Sequence, residues 1–294
     1  MQDRPANIPQ KKQELLEKIV RRLSGVDGVA AVVLGGSYAS GTQHETSDLD
    51  MGLYYFENQP FSIEEVRGIA KEISVDSSPT VTGFYEWGAW VNGGAWIHTE
   101  QGKVDFLYRN LDQVQRTIDE ARQGILHHDY DQQPANGFYS VIYLAETQIC
   151  KPLYDPGRFI ANLKKQVETY PAKLKQKIVA DSLWGAEFTL LHARSFAAQG
   201  DIYNTVGCLV RAAANLTQAL FALNERYFIR DKMVMEVMAA FQILPPGYIE
   251  RINEILARPG STDRELKEAV RAIERVWQSV VNLPEAQYVA KFQI

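Results

Sequence analysis

Between residues 8 and 110 the hydrophobic positions of the chain change period several times, and each change marks an element. Over 8–24, Leu15, Leu16, Ile19, Val20 and Leu23 recur at helical spacing among charges, which predicts an amphipathic surface helix. The run 28–34 is short, apolar, rich in β-branched residues and followed by glycines, which predicts a buried strand. Residues 37–47 are polar and irregular, 48–55 alternate into a second strand, and 63–73 return to helical spacing. The aromatic segments 80–87, 89–100 and 102–109, separated by Gly-rich turns, predict three strands.

Beyond Asn110 the pattern is helical. Helices are expected over 111–124 and 136–150, with a Pro- and Gly-marked break at 151–157. Long helices follow over 173–199 and 202–229, divided by Gly200-Asp201. Shorter ones are expected over 232–242, 246–257 and 262–282, the last with Ser261 or Thr262 and Glu265 as a capping signal. The expected fold class is α+β: a small mixed β-sheet core with flanking helices over 1–150, then an all-α helical bundle over 151–294.

Composition narrows the class. The 294 residues are 46% hydrophobic and 23% charged, which fits a folded globular chain and excludes a mainly disordered one. No run of about 18 apolar residues predicts a membrane span, and the first residues hold no apolar signal core. Cys150 and Cys208 lie far apart, so they read as helix residues in a reducing cytoplasm. The net charge of −5 argues against a nucleic-acid partner. It is unevenly spread: residues 1–150 carry 12 basic and 21 acidic groups, and the remainder 19 and 15.

The chemistry concentrates at Gly35-Gly36-Ser37, followed after ten residues by Asp48-Leu49-Asp50. Two glycines after a strand allow a tight turn whose backbone amides can approach phosphate oxygens. Asp48 and Asp50, two apart on a strand, share a face and repel each other unless a hard cation binds them. Asp105 is a third acid, flanked by apolar residues on an expected central strand. Three such carboxylates could hold two Mg²⁺ ions.

This arrangement of Gly36, Ser37, Asp48, Asp50 and Asp105 resembles the DNA polymerase β-like nucleotidyltransferase superfamily over roughly residues 25–110. The small core followed by helices resembles the antibiotic nucleotidyltransferases of the aminoglycoside and lincosamide types. Leu153-Tyr154-Asp155-Pro156 and Leu223–Tyr227 are further, weaker points of resemblance. The resemblance implies transfer of a nucleoside monophosphate, AMP from ATP or its equivalent from another NTP, to a hydroxyl of a small-molecule acceptor. Asp48, Asp50 and Asp105 would be catalytic and metal-binding, and Gly35, Gly36, Ser37 and Ser47 nucleotide-binding. Lys232, with Arg211 and Arg230 as further candidates, would meet the triphosphate. A protein acceptor, as in AMPylating or toxin–antitoxin enzymes, and a non-catalytic nucleotide-binding role are the alternatives. No membrane partner is expected, and a homodimer is left open.

Other residues have weaker claims. Glu100 and Glu86 are the acids available as general base. A turn at Gln101-Gly102 would put His98 directly opposite Asp105. Tyr85, Trp87, Trp90 and Trp96 either wall an acceptor pocket or pack the core, and His127-His128-Asp129 reads as a polar loop. Arg211, alone on an apolar helix, either meets phosphate or pairs with an acid such as Glu187.

Overall fold

The computed structural model describes residues 8–76, 78–133 and 135–292. The chain forms two compact units, Met1–Asp119 with His128–Thr169, and Glu120–His127 with Tyr170–Ile294.

The first unit runs α1 (Gln10–Leu23), β1 (Ala31–Leu34), α2 (Gly36–Ser40), β2 (Leu49–Tyr55), α3 (Ile63–Ile73), β3 (Thr80–Val81), β4 (Gly94–Thr99), β5 (Gly102–Asn110) and α4 (Leu111–Gln123). It continues with β6 (His128–Asp129), β7 (Phe138–Tyr139), α5 (Val141–Ile149), β8 (Lys151–Tyr154) and α6 (Phe159–Val167). From Glu120, the end of α4 belongs to the second unit.

Six strands form one mixed sheet in the order β3-β4-β5-β2-β1-β8, and β6 pairs with β7 separately. Only β2 and β5 run parallel within the large sheet. Their odd and even positions face opposite sides. Leu49, Met51 and Leu53 of β2 and Val104 and Phe106 of β5 bury against Leu16, Ile19 and Leu23 of α1 and Val66 and Ile69 of α3. The alternate positions, Asp50 and Asp105 among them, therefore lie on the other face.

Several segments depart from the expected pattern; within 136–150, Phe138–Tyr139 is strand β7 and the helix begins at Val141, and the helix expected over 232–242 is only Val234–Met238. Of 80–87 only Thr80–Val81 is strand. The aromatic stretch after it is a loop in which Tyr85 and Asn92 take left-handed φ of 58° and 56°. Buried Asn92 fixes that loop, donating to Gln113 Oε1 at 2.8 Å and accepting from Asn110 N at 3.0 Å. The break at 151–157 begins with β8, an edge strand paired with β1, where Pro152 costs no inner ladder bond. The helix from 202 ends at Leu223, because Asn224 turns its side chain on Ile243, donating to its carbonyl at 2.8 Å and accepting from its N–H at 2.9 Å.

The second unit contains α7 (Ala172–Ala198), α8 (Ile202–Leu223), α9 (Val234–Met238), α10 (Tyr248–Ala257) and α11 (Asp263–Val281). Helix α8 is long and apolar enough to cross a membrane by length and composition, yet 61% of its apolar window is buried in the fold. Trp277 of α11 anchors this bundle, 1% exposed and donating to Leu183 O at 3.1 Å. Thr262 and Glu265 close a capping box at the start of α11.

Candidate active site

Strand β1 ends at Leu34, and the chain turns at once into α2. Gly36 takes φ +56°, and a Cβ there would lie 1.7 Å from Asp50 Oδ2. The turn is thus built against the carboxylate of the neighbouring strand. Gly35 N donates to Asp50 O at 2.7 Å, which carries the β1–β2 pairing into the turn. The Ser37 hydroxyl makes no hydrogen bond among the described residues.

Asp50 and Asp105 are direct neighbours in the parallel β2–β5 pair. Asp48 precedes Asp50 by two, and its charge reaches Asp105. Burial, then the Asp48 charge, pushes the Asp105 carboxyl up to about 6, against the pull of Lys103 and His98. Asp105 Oδ1 is buried with no hydrogen-bond partner.

Among the described residues no three His, Cys, Asp or Glu side chains close on one point as a ready ligand set. The donor chemistry nevertheless suits a hard cation. Asp48, Asp50 and Asp105 offer only carboxylate oxygens, one oxygen of Asp105 is orphaned, and the Asp48 charge raises the cost of ionising Asp105. These three would hold Mg²⁺.

A pH test follows. Folding raises the Asp105 pKa from 3.8 to about 6, so the native state loses stability as pH rises through that window and carries the full penalty above it. Asp105→Asn, which cannot ionise, should melt higher than the wild type near pH 8 in chelator, and the gap should close near pH 4. Added Mg²⁺ should raise the wild-type Tm near pH 8 by more than it raises that of the variant, which keeps two of the three carboxylates. Equal melting of the two proteins at both pH values would refute the buried-carboxylate account.

The β4–β5 hairpin turns one residue earlier than expected, at Glu100-Gln101, with Gly102 at φ +100°. Trp96 is therefore opposite Asp105, and His98 is opposite Lys103. His98 stays on the Asp105 face, diagonal to it. Glu100 is at the exposed hairpin tip and lines a cleft with Lys11, Glu14 and Glu72 on the helix-covered side. The structure does not bring it to the aspartates. Glu86 is spent locally, accepting from Gly83 N at 2.6 Å.

Ser47 also has a local structural part. It is buried, and its hydroxyl accepts from His44 N at 2.9 Å, closing the turn before β2. Its carbonyl accepts from Lys12 Nζ at 2.7 Å. Lys12 is 6% exposed, and its ammonium also reaches Tyr38 Oη at 3.3 Å. It ties α1 to both ends of the loop between the glycine turn and Asp48. The signal for it was present in the sequence, since Lys12 stands four before Leu16 on the stripe that α1 buries.

The aromatic candidates separate. Trp87 stacks on Trp96 with centroids 4.1 Å apart and planes 23° from parallel, beside Asp105. Trp90 packs between Phe138 and Tyr143, and Tyr85 accepts from Asn110 Nδ2 at 2.7 Å. Behind them Arg109 and Glu146 make a bidentate pair at 2.7 and 2.8 Å. Lys232 belongs to the second unit, in the segment between α8 and α9. His127 pairs with Glu120 at 2.9 Å, and His128 stacks on Tyr139.

Residues 14–82 match the profile of the nucleotidyltransferase domain family. The first unit carries a nucleotidyltransferase domain. The match spans the glycine turn, Asp48 and Asp50 and stops before Asp105. The enzyme class follows from the domain, a nucleotidyltransferase, within the polymerase β-like superfamily. No curated protein matches the chain. Among solved structures, a nucleotidyltransferase-like protein from Exiguobacterium sibiricum 255-15 is 10% identical, with a TM-score of 0.45, over 93% of this chain and 77% of that one.

Proposed function

We propose that this nucleotidyltransferase transfers AMP from ATP to a hydroxyl of a small-molecule acceptor and releases pyrophosphate. The observation that carries the reading is one sheet face on which Asp50 and Asp105 are direct neighbours, with Asp48 two residues before Asp50 and the Gly36 turn against Asp50. In the transfer the acceptor oxygen bonds to the α-phosphorus, the bond from that phosphorus to the bridging oxygen breaks, and the hydroxyl proton must leave. When bound, Mg²⁺ supplies charge neutralisation for the triphosphate and acidifies the attacking hydroxyl.

The chain's own groups divide the remaining work. The backbone amides of Gly36 and Ser37 cradle phosphate oxygens at the β1 side of the carboxylates, and Gly35, whose N–H is held by Asp50 O, sets the turn. Asp105, the acid next to the Trp87–Trp96 stack, takes the hydroxyl proton in place of Glu100. The sheet order puts Trp96 on the far side of Asp105 from the glycine turn. An in-line displacement enters opposite its leaving group, so the acceptor approaches from the Trp87–Trp96 side.

The test is incubation with α-labelled ATP, Mg²⁺ and separate pools of small molecules and of lysate protein. Label in a small molecule, with stoichiometric pyrophosphate, is expected. Label in a protein band would replace the acceptor class and keep the transfer. No label together with no ATP binding would overturn the enzyme reading.

A further inference from the structure

The second unit has a groove of about 720 Å³ where α7 faces α8 near their junction. That volume is in the range of small-molecule sites. Phe188 and Phe196 give it aromatic walls and Tyr203 stands exposed at its rim, with His192 and Arg211 as its basic side chains, and no Asp or Glu lines it. Phe188 packs edge-on against His192 at 4.7 Å and stacks on Trp184 at 5.3 Å, so the wall is ordered by its own ring contacts.

Arg211 decides the ligand's charge. Its expected partner, Glu187, is fully buried and engaged elsewhere: it accepts from Tyr288 Oη at 2.5 Å, from Lys291 N at 2.7 Å and from Phe292 N. No carboxylate pairs with the Arg211 guanidinium among the described residues. A guanidinium beside aromatic rings presents a planar fork of donors that suits an acidic head group.

Gly207 supplies the space. It stands inside α8, where glycine costs roughly 1 kcal/mol relative to alanine. It lines the groove, and a Cβ there would meet nothing within 4 Å. No packing within the fold requires glycine at this position.

We propose that this groove binds a small organic anion with an aromatic body, its acidic head on Arg211 and its rings against Phe188, Phe196 and Tyr203. The proposal does not depend on the transfer reaction. Anilinonaphthalene sulfonate, an aromatic anion, is the probe, titrated into the full-length protein and read by fluorescence. One saturable site is expected. Arg211→Met should weaken it about tenfold, and Gly207→Leu, which fills open space on a helix that prefers leucine, should abolish it. Uncharged phenylnaphthylamine should bind at least about tenfold more weakly than the sulfonate. Bound probe should also slow maleimide labelling of Cys208, which lines the groove, whereas Cys150 is buried. Asp50→Asn should bind the probe like the wild type. Unsaturable binding, wild-type affinity in both Arg211→Met and Gly207→Leu, or a dimer in sedimentation that excludes the probe would overturn the proposal.

Discussion

Asp48→Asn and Asp50→Asn are each expected to lower nucleotidyl transfer by at least about 10³-fold, roughly 4 kcal/mol of transition-state stabilisation, with circular dichroism and Tm close to wild type. Both side chains leave β2 or its start on the face away from α1 and α3, so neither is part of the buried core. Asparagine keeps the shape, including the packing of residue 50 against Gly36, and removes only the charge. The loss should therefore be one of cation affinity and transition-state neutralisation. Pyrophosphate release measured across a Mg²⁺ titration checks it. Higher Mg²⁺ should recover part of the activity in the variants, because a weakened site is filled by mass action. Full activity in both variants would remove these carboxylates from the reaction.

The part of the site read most directly from the sequence is the part built from residue types with one physical use. Gly35-Gly36 before a polar stretch, and Asp48 and Asp50 at the spacing that puts them on one face, carry their chemistry in their order along the chain. Asp105 was legible because an acid within an apolar strand needs a partner. Its pairing with Asp50 came only with the parallel β2–β5 register, which no local pattern encodes. Glu100 shows the limit of alternation. Carrying the strand period one residue too far puts it at the site, whereas the turn at Glu100-Gln101 puts it at an exposed tip on the other side.

The aromatic segment after Val81 departs from the expected strand for a related reason. Its residues favour strands, but propensity is outweighed by Asn92, whose side chain holds Gln113 and the Asn110 backbone and keeps the loop in left-handed turns. That override is what delivers Trp87 onto Trp96. Likewise β8 was hidden because Pro152 and Gly157 mark a break, and only the sheet edge accommodates such a strand. The bundle was more legible, since helical period, the Gly200-Asp201 restart and the Thr262–Glu265 capping box are all local.

Gly36→Ala should cost both fold stability and activity, and Gly41→Ala separates the two causes. Both glycines have positive φ, +56° and +75°. Alanine in the left-handed region costs about 1–2 kcal/mol, so each variant should lose that much in urea unfolding. The surroundings differ. At Gly41 a Cβ meets nothing within 4 Å, whereas at Gly36 it falls 1.7 Å from Asp50 Oδ2 and 2.5 Å from its Cγ. The Asp50 carboxylate must move or the turn must open. Either displaces a metal-binding group relative to the phosphate turn by a distance on the order of 1 Å, a shift that can cost about 10²-fold in rate. Gly36→Ala should therefore lose at least about 10²-fold in transfer beyond any stability effect. Gly41→Ala should transfer at nearly the wild-type rate once its folded fraction is accounted for. Equal loss of activity in both would mean that backbone strain at the two ends of α2, rather than contact between Gly36 and Asp50, sets the geometry of the site.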